Sequence, residues 1–314
     1  MNHTIVVSGL TKLYGKPASG VLAVDHISFD VVQGEIFGFL GPNGAGKTTT
    51  IRMLTGLTRP TEGSAAVLGF DLARETTRIK KHIGVVAEQS NLYDELTALD
   101  NLVFVMQLYG VPRGERKQRA EELLVRFRLA DKKDVRFDRL SRGTRRALTV
   151  AAALVHDPQV LFLDEPTTGL DVVSARNLRA MIAELRTAGV TIFLTTHFLE
   201  EAERLCDRVA LIVRGRIVAL DTVNGLKGQA KGSPAVEVTV RDRRGAVETL
   251  RVDGHDVEVS VRSALDRATS EGKEVLAIDT LRPSLEDAFI QLTGLSPEVM
   301  LVDKGGRRPG SAGG

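Results

Sequence analysis

The stretch EIFGFLGPNGAGKTTT (residues 35–50) decides the fold of this chain. A short apolar run ends in a glycine-rich loop, and a helix pattern follows in which Ile51, Leu54 and Leu57 share one face. The loop GPNGAGKT (41–48) fits the pattern G-x-x-x-x-G-K-[ST]. Because it lies between a predicted strand and a predicted helix, we interpret it as a phosphate-binding loop rather than as a flexible turn.

The residue types of this loop suit a nucleotide phosphate. Successive backbone N–H groups must point inward around the phosphate, which requires side chains that are small or absent. Lys47 supplies a charge for the β and γ oxygens, and the Thr48 hydroxyl is a ligand for Mg²⁺. The residues expected to bind nucleotide in this loop are Gly41, Pro42, Asn43, Gly44, Ala45, Gly46, Lys47, Thr48 and Thr49.

Alternation of strands and helices around this loop predicts an α/β fold. Residues 4–33 contain short β segments, and residues 88–158 are mostly helical in pattern. The runs VLFLDEP (160–166) and VTIFLTTH (190–197) are apolar on both faces, as in the strands of a parallel sheet. A mostly parallel sheet covered by helices is therefore expected.

The composition changes near residue 222, where we place the end of the first domain, residues 1–222. Glycines and a proline predict a linker over 223–234. Beyond it the segments AVEVTV, AVETLRV, DVEVSV and EVLAIDT are interpreted as strands, with one helix before the last of them and a capped helix in PSLEDAFIQLTG. We expect a small α+β domain over 235–294 and a disordered tail over 295–314.

The overall charge and the apolar runs exclude some classes of protein. The chain has 42 basic and 40 acidic side chains, and a net charge of +2 does not favour nucleic acid as the main partner. The lone Cys206 excludes an internal disulfide and fits a reducing compartment. No signal peptide and no apolar run of membrane-spanning length is visible, so we expect a protein that is cytosolic by itself. If it works at a membrane, a partner must hold it there.

Polar residues at the ends of the two buried strands are candidates for catalysis. Asp164 ends the first strand, where its carboxylate can hold Mg²⁺, and Glu165 is placed to orient or deprotonate an attacking water. His197 follows the second strand and is expected to contact the γ-phosphate. The chain contains no Asn-Lys pair, so the guanine-reading element of GTPases is absent.

The stretch LSRGT (140–144) precedes a helix predicted from about Arg145 to His156. Ser141 and Gly143 place a hydroxyl and an unhindered N–H at a helix N-terminus, which is a site for an anion. The loop at 41–48 already encloses its own nucleotide, so we infer that this turn contacts the γ-phosphate of an ATP bound to a second subunit. A plain serine cap remains the alternative from this stretch alone.

Taken in order, these motifs resemble those of the ATP-binding subunits of ABC transporters, over residues 4 to about 222. The ending PSLEDAFIQLTG resembles the daunorubicin-type, multidrug ABC-2 exporter ATPases. The resemblance implies a P-loop NTPase fold of the ABC ATPase type, with an antiparallel N-terminal β subdomain and a helical subdomain at about 88–158. It implies ATP and Mg²⁺ as cofactors and stacking of Tyr14 on adenine, and it puts Asp171 of GLD (169–171) at a dimer interface.

The resemblance also implies partners. Two copies, as a homodimer or with a related chain, would enclose two ATP molecules and drive a separate ABC-2 type permease from the cytoplasmic face of the cell membrane. The residues 92–110 are the expected permease contact. A soluble ABC ATPase that acts on ribosomes or DNA is the alternative, although such proteins usually have two cassettes or a long coiled coil. A small-molecule kinase is a second alternative, although such an enzyme has no use for LSRGT together with His197.

The sequence departs from the family pattern at three places. Arg142 and Thr144 replace the usual Gly and Gln of the turn, and the Arg142 side chain can either point away from the phosphate or add positive charge to the site. The metal-linked Gln of the family aligns with Glu88, and Gln89 follows it, so either can reach Mg²⁺ or the water. Val172 stands where Pro is common after the Asp.

Overall fold

The computed structural model describes residues 2–16, 19–230, 235–242, 245–253, 257–281 and 283–301. They divide into two compact units. The first covers Met1–Val223 together with the described residues 298–301, and the second covers Asn224–Pro297.

The described residues form strands and α-helices in the alternating order expected of an α/β protein. The strands are β1 His3–Tyr14, β2 Val21–Val32, β3 Ile36–Leu40, β4 Glu62–Val67, β5 Phe70–Asp71, β6 Ile83–Val86, β7 Val160–Asp164, β8 Thr191–Thr196, β9 Arg208–Val213, β10 Arg216–Thr222, β11 Ala235–Arg241, β12 Val247–Asp253 and β13 Glu274–Leu281. The helices are α1 Lys47–Leu54, α2 Thr76–Lys80, α3 Ala98–Leu108, α4 Arg113–Arg126, α5 Arg142–Ala153, α6 Val172–Thr187, α7 Leu199–Leu205, α8 Val223–Gln229, α9 Val257–Ser270 and α10 Leu285–Thr293. Short 3-10 turns lie at Ala130–Lys132, Phe137–Arg139 and Pro297–Leu301.

The core sheet of the first unit has the strand order β10-β9-β3-β8-β7-β6. Every pairing from β9 to β6 is parallel, and β10 is antiparallel to β9. All residues of β3, β7 and β8 are buried, which explains why their sequences are apolar without alternation. The carboxyl ends of these three strands meet at one edge, and this edge carries the candidate site.

An antiparallel sheet of order β2-β1-β4-β5 forms the N-terminal part of the first unit. Ile5 of β1 lies opposite Val31 on one side and Val67 on the other, and all three side chains are fully buried. The alternation of their sequences therefore points one face of this sheet toward the core. The predicted antiparallel N-terminal subdomain is confirmed.

A cluster of phenylalanines joins the two sheets. Phe29 of β2 stacks on Phe37 of β3 with a centroid separation of 5.4 Å. Phe193 of β8 lies 5.5 Å from Phe39 and 5.6 Å from Phe162. Loss of one buried phenylalanine ring lowers the free energy of unfolding by about 3–5 kcal/mol. The cluster therefore stabilises the packing of the strands that carry the site.

The region between β6 and β7 is helical, as predicted, but α5 begins at Arg142 and ends at Ala153 rather than spanning about 145–156. The difference has a local cause. The Ser141 side chain accepts a hydrogen bond from the backbone N–H of Thr144, so the helix begins directly after the serine.

The second unit holds a three-stranded antiparallel sheet of order β12-β11-β13. Helix α9 packs Ala264 and Ala268 against Val236 and Val238 of β11. The interpretation of DVEVSV as a strand is wrong, because residues 257–261 form the first turns of α9. Ser260, Ala264 and Ala268 are buried at helical spacing, and this periodicity outweighs the β-branched composition of the first turn.

Two further segments differ from the sequence-based interpretation. The predicted linker begins with α8, in which Leu226 is fully buried, so residues 223–229 are packed rather than extended. The predicted disordered tail begins with the 3-10 turn Pro297–Leu301, where Met300 is buried. Residues 231–234 and 302–314 lie outside the described part of the chain.

Candidate functional site

The loop at 41–49 connects the buried strand β3 to α1, and its glycines are required by close contacts. A Cβ at Gly41 would lie 2.1 Å from the backbone oxygen of Ile212, and one at Gly46 would lie 2.5 Å from that of Ala23. Gly44 and Gly46 also have positive φ angles of 81° and 108°. Side chains at these positions would therefore displace the loop.

Lys47 is the first residue of α1, and its side chain is only 5% exposed. Its Nζ donates to the carbonyl oxygen of Gly41 at 2.6 Å and to that of Pro42 at 3.3 Å, so the loop curls around the ammonium group. The same Nζ lies 3.1 Å from Oε1 of Glu165. The remaining residues predicted for the loop, Asn43, Ala45, Thr48 and Thr49, lie in this loop and in the first turn of α1.

Asp164 and Glu165 lie where β7 ends. Asp164 is 3% exposed, and its Oδ1 accepts a hydrogen bond of 2.6 Å from the hydroxyl of Thr195 on β8. The backbone N–H of Glu165 donates to the carbonyl and the hydroxyl oxygens of Thr195, each at 3.1 Å. Thr195, which sequence reasoning did not single out, therefore fixes both acidic residues. A threonine at the end of a buried strand was the available signal.

Glu165 has a backbone φ of 49°, which is uncommon for a residue with a side chain and is typical of functional sites. Its Oε2 accepts hydrogen bonds from Nδ1 of His197 at 2.7 Å and from the Thr168 hydroxyl at 3.2 Å. Its Oε1 is buried and pairs with Lys47 without the geometry of a hydrogen bond. One carboxylate oxygen is thus held, while the other keeps its accepting capacity.

The charge state of Glu165 follows from these contacts. Burial alone would raise the pKa of Glu165, but the hydrogen bond from His197 and the charge of Lys47 outweigh burial and lower the pKa to about 2. The carboxyl group is therefore ionised at neutral pH. Because an ionised carboxylate only accepts hydrogen bonds, Nδ1 of His197 carries a proton in this contact.

Arg146 is a second residue that sequence reasoning missed. It is 8% exposed, and its guanidinium donates to the backbone oxygens of Pro166 at 2.8 Å, Asp164 at 2.9 Å and Glu165 at 3.2 Å. It also donates to the backbone oxygens of Ala87 and Glu88. Burial lowers the pKa of Arg146 to about 10, against the opposing effect of nearby carboxylates, so the side chain keeps its charge at neutral pH. A basic residue on the apolar face of α5 was the overlooked signal.

Ser141, Gly143 and Asp171 lie on a different, exposed part of the first unit, where α5 and α6 begin. Ser141 caps α5, and Asp171 caps α6 by accepting from the backbone N–H of Ser174 at 2.9 Å. A Cβ at Gly143 would lie 2.2 Å from Oγ of Ser174, so the two helix starts touch. The contacts of Ser141 and Gly143 are with α5 and α6, whereas the loop at 41–49 contacts β2, β9 and Glu165.

Tyr14 ends β1 with its ring 40% exposed and the Lys12 ammonium 5.1 Å from the ring centroid. Its partner in the sheet is Val21, two residues from Ala23, whose carbonyl faces Gly46. Tyr14 therefore lies on the strand that pairs with β2, the strand whose Ala23 carbonyl faces the loop.

Glu88 and Gln89 are both exposed just after β6. The backbone oxygen of Glu88 is held by Arg146 at 3.3 Å. Both side chains remain candidates for the metal-linked position.

Comparison with known proteins identifies the relatives of this chain. Residues 24–168 match the family model described as ABC transporter. The linearmycin resistance ATP-binding protein of Bacillus subtilis is 35% identical over 304 residues, which cover 91% of this chain and 96% of that protein. The daunorubicin/doxorubicin resistance ATP-binding protein of Streptomyces peucetius is 37% identical, covering 93% of each. A fluoroquinolones export ATP-binding protein of Mycobacterium tuberculosis is 41% identical over 93% of this chain and 94% of that protein.

Solved structures show the same fold. The dimeric post-hydrolysis state of an ATP-binding cassette bound to ADP and Pi superposes with a TM-score of 0.64 at 25% identity, covering 69% of this chain and 98% of that one. No helix in the described part of this chain is both long enough and apolar enough to cross a membrane.

Proposed function

The chain belongs to the ABC transporter ATP-binding proteins, and from this premise we propose that it hydrolyses ATP as the energy-supplying subunit of an ABC-2 type exporter. The observation that supports ATP hydrolysis best is the buried chain of contacts from Lys47 through Glu165 to His197. It joins the phosphate-binding loop to the ends of β7 and β8 at one edge of the sheet. Relatives over nearly the full length are named for drug resistance or export, which supports an exporter.

The residues at this edge fit ATP and Mg²⁺. The loop at 41–49 is curled around Lys47 and leads into the N-terminus of α1, which is the arrangement that binds phosphate. The Thr48 hydroxyl and the Asp164 carboxylate would hold Mg²⁺, which in phosphate sites takes few protein oxygens besides those of the substrate. When bound, the metal ion neutralises the charge that develops on the phosphates. Tyr14 would stack on the adenine ring.

Glu165 and His197 would act on the attacking water and the γ-phosphate. Glu165 is ionised, and its Oε1 can accept a hydrogen bond from a water molecule. The low pKa of Glu165 favours orientation of the water over full removal of its proton, since a general base works best with a pKa near the working pH. The His197 ring is fixed through Nδ1, which leaves Nε2 to contact phosphate.

Ser141, Gly143 and Asp171 would complete the site of a second copy. Ser141 and Gly143 then contact the γ-phosphate of the ATP that the partner holds. Val172 and Val173, next to Asp171, are 82% and 67% exposed, and a partner would cover these apolar side chains. The solved relatives that form dimers support this proposal.

We place the permease contact at the helical segment after residue 88 and the protein on the cytoplasmic face of the cell membrane. Residues 1–222 would form the ATP-binding domain, and the small domain over 235–294 would support the dimer. A homodimer is sufficient, because one chain holds every motif.

An ATP-trapped dimer tests this function. The Glu165→Gln variant should bind ATP, hydrolyse it very slowly and elute as a dimer in size-exclusion chromatography with ATP but not with ADP. Adding Ser141→Arg to this variant should abolish the dimer and leave nucleotide binding by the monomer nearly intact. Loss of monomer binding in the double variant would contradict a role for Ser141 in the second copy's site. Co-purification of the wild-type chain with ribosomes, instead of a polytopic membrane protein, would contradict transport.

A further inference from the structure

Arg142 lies at the start of α5, one residue after Ser141 and on the exposed side of the helix. Its Nη1 donates a hydrogen bond of 3.1 Å to the backbone oxygen of Gly169. The side chain therefore runs along the surface of its own chain toward the loop that precedes Asp171. The sequence left the orientation of this side chain open, and the structure shows its guanidinium group bonded to a carbonyl of its own chain.

Gly169 suits this contact. Its φ is +74°, and a Cβ at this position would lie 3.3 Å from Nη1 of Arg142. The loop has few backbone bonds of its own, namely those of Thr168 N–H to Glu165 at 3.4 Å and of Leu170 N–H to Thr167 at 3.1 Å. The bond from the charged Arg142 guanidinium to the Gly169 carbonyl therefore adds a strong hydrogen bond to a loop that has few of its own.

Arg142 and Arg146 are four residues apart on α5 and hold the same segment at its two ends. Arg146 donates to the backbone oxygens of Asp164, Glu165 and Pro166 inside the molecule, and Arg142 donates to that of Gly169 at the surface. Residues four apart lie on one side of a helix, so both guanidinium groups reach the same neighbouring segment. Segment 164–169 is thus bonded to α5 near both of its ends.

We propose that Arg142 is a positioning residue that clamps the loop before Asp171 to the turn containing Ser141. With the Gly143–Ser174 contact as the second point of attachment, the clamp makes Ser141 and Asp171 one preformed surface for the second copy. This inference rests on the proposed ATP-dependent dimer. It assigns Arg142 to the geometry of that surface, and it assigns the residue no contact with phosphate.

The test compares Arg142→Ala, Arg142→Lys and the wild type, with Arg113→Ala as a control that removes an exposed arginine from the start of α4. Amide hydrogen exchange of residues 169–171 is measured on the nucleotide-free full-length monomer. The ATP concentration for half-maximal dimerisation is measured in the Glu165→Gln background, and turnover at saturating ATP is measured without that substitution.

For Arg142→Ala we expect exchange at 169–171 to accelerate ~3- to 10-fold and half-maximal dimerisation to need ~3- to 10-fold more ATP, the effect of losing one exposed charge-assisted hydrogen bond. Turnover at saturating ATP should stay within about 2-fold of wild type, because the clamp acts before the site closes. Arg142→Lys keeps a charged donor and should recover part of both effects. Arg113→Ala should match the wild type.

Unchanged exchange and unchanged dimerisation in Arg142→Ala would overturn the clamp. So would a loss of saturated turnover of about 10-fold or more with unchanged exchange, because that pattern indicates direct contact with the reacting phosphate. If the Glu165→Gln protein with Arg142 intact fails to dimerise on ATP, the proposed function fails, and the exchange measurement on the monomer still decides whether Arg142 holds the loop.

Discussion

The predicted site has two halves. One lies at the sheet edge around Lys47 and Glu165, and the other lies at the turn around Ser141. They differ in whether the side chains that form each half find their partners within one chain. Lys47 and Glu165 are 5% and 7% exposed, and their partners all come from the same chain. Ser141 and Asp171 are exposed, and their side chains form hydrogen bonds with Thr144 and Ser174 of their own helices. The contacts of the buried half are complete within one chain, whereas our proposal assigns the exposed half to the site of a second copy.

The largest effect should come from the buried half. Glu165→Gln keeps the size of the side chain and removes the charge that orients water, so turnover should fall about 10²- to 10⁴-fold. The measurement is steady-state phosphate release at saturating ATP. Glu200→Gln, the same change at a side chain that is 85% exposed, is the matched control and should keep full turnover. Normal turnover of Glu165→Gln would remove Glu165 from the mechanism.

Arg146→Leu should have the next largest effect, because it leaves several buried backbone oxygens without a donor. Since each unsatisfied buried acceptor costs about 1–3 kcal/mol, the free energy of unfolding should fall by ~3 kcal/mol or more. Urea unfolding of the nucleotide-free chain measures it. Arg145→Leu is the control, because Arg145 donates to the backbone oxygens of Leu140 and Asp138 but is less buried, and its loss should cost ~1 kcal/mol. Equal losses of unfolding free energy in the two variants would contradict the larger structural role that we assign to Arg146.

A smaller effect should appear in acid, because the attraction between Lys47 and Glu165 is partly offset by desolvation of both charges. The folded-state pKa of Glu165, about 2, lies below its ordinary value of 4.5, so its contribution to stability is present above about pH 4.5 and is lost as pH falls toward 2. The difference in unfolding free energy between the wild type and Glu165→Gln should therefore shrink over that range. A difference that is constant from pH 7 to pH 2.5 would contradict the lowered pKa of Glu165 that the His197 hydrogen bond and the Lys47 charge produce.

The smallest stability effect is expected in the exposed half. Ser141→Ala removes a helix cap and should lower the free energy of unfolding by about 0.5–2 kcal/mol. Nucleotide binding by the monomer should not change, while ATP-dependent dimerisation of the Glu165→Gln protein should weaken. Thermal melts and nucleotide titrations of the monomer separate the two. Weakened monomer binding would show that the two halves are not separate in one chain.

Local patterns were sufficient for the elements that carry the site. The buried strands β3, β7 and β8 were predicted because an uninterrupted apolar run between turn residues is typical of a parallel sheet. The same reasoning failed for DVEVSV, where β-branched composition suggested a strand and helical spacing of the buried residues decided otherwise. It also misplaced the start of α5 by three residues, since Ser141 caps the helix, which is the alternative that the sequence had left open.

The sequence alone determined the glycine-rich loop between a strand and a helix, the acidic pair at the end of a strand and the buried strands of the core sheet, because each depends on residues close together in the chain. The family followed from several such local motifs taken in order. Only the tertiary structure brought Thr195 to Asp164, His197 to Glu165, Arg146 to the backbone of 164–166 and Arg142 to Gly169. These contacts join residues from 18 to 32 positions apart. The packing of strands and helices decides which residues become partners, and the spacing of residues along the sequence does not predict this packing.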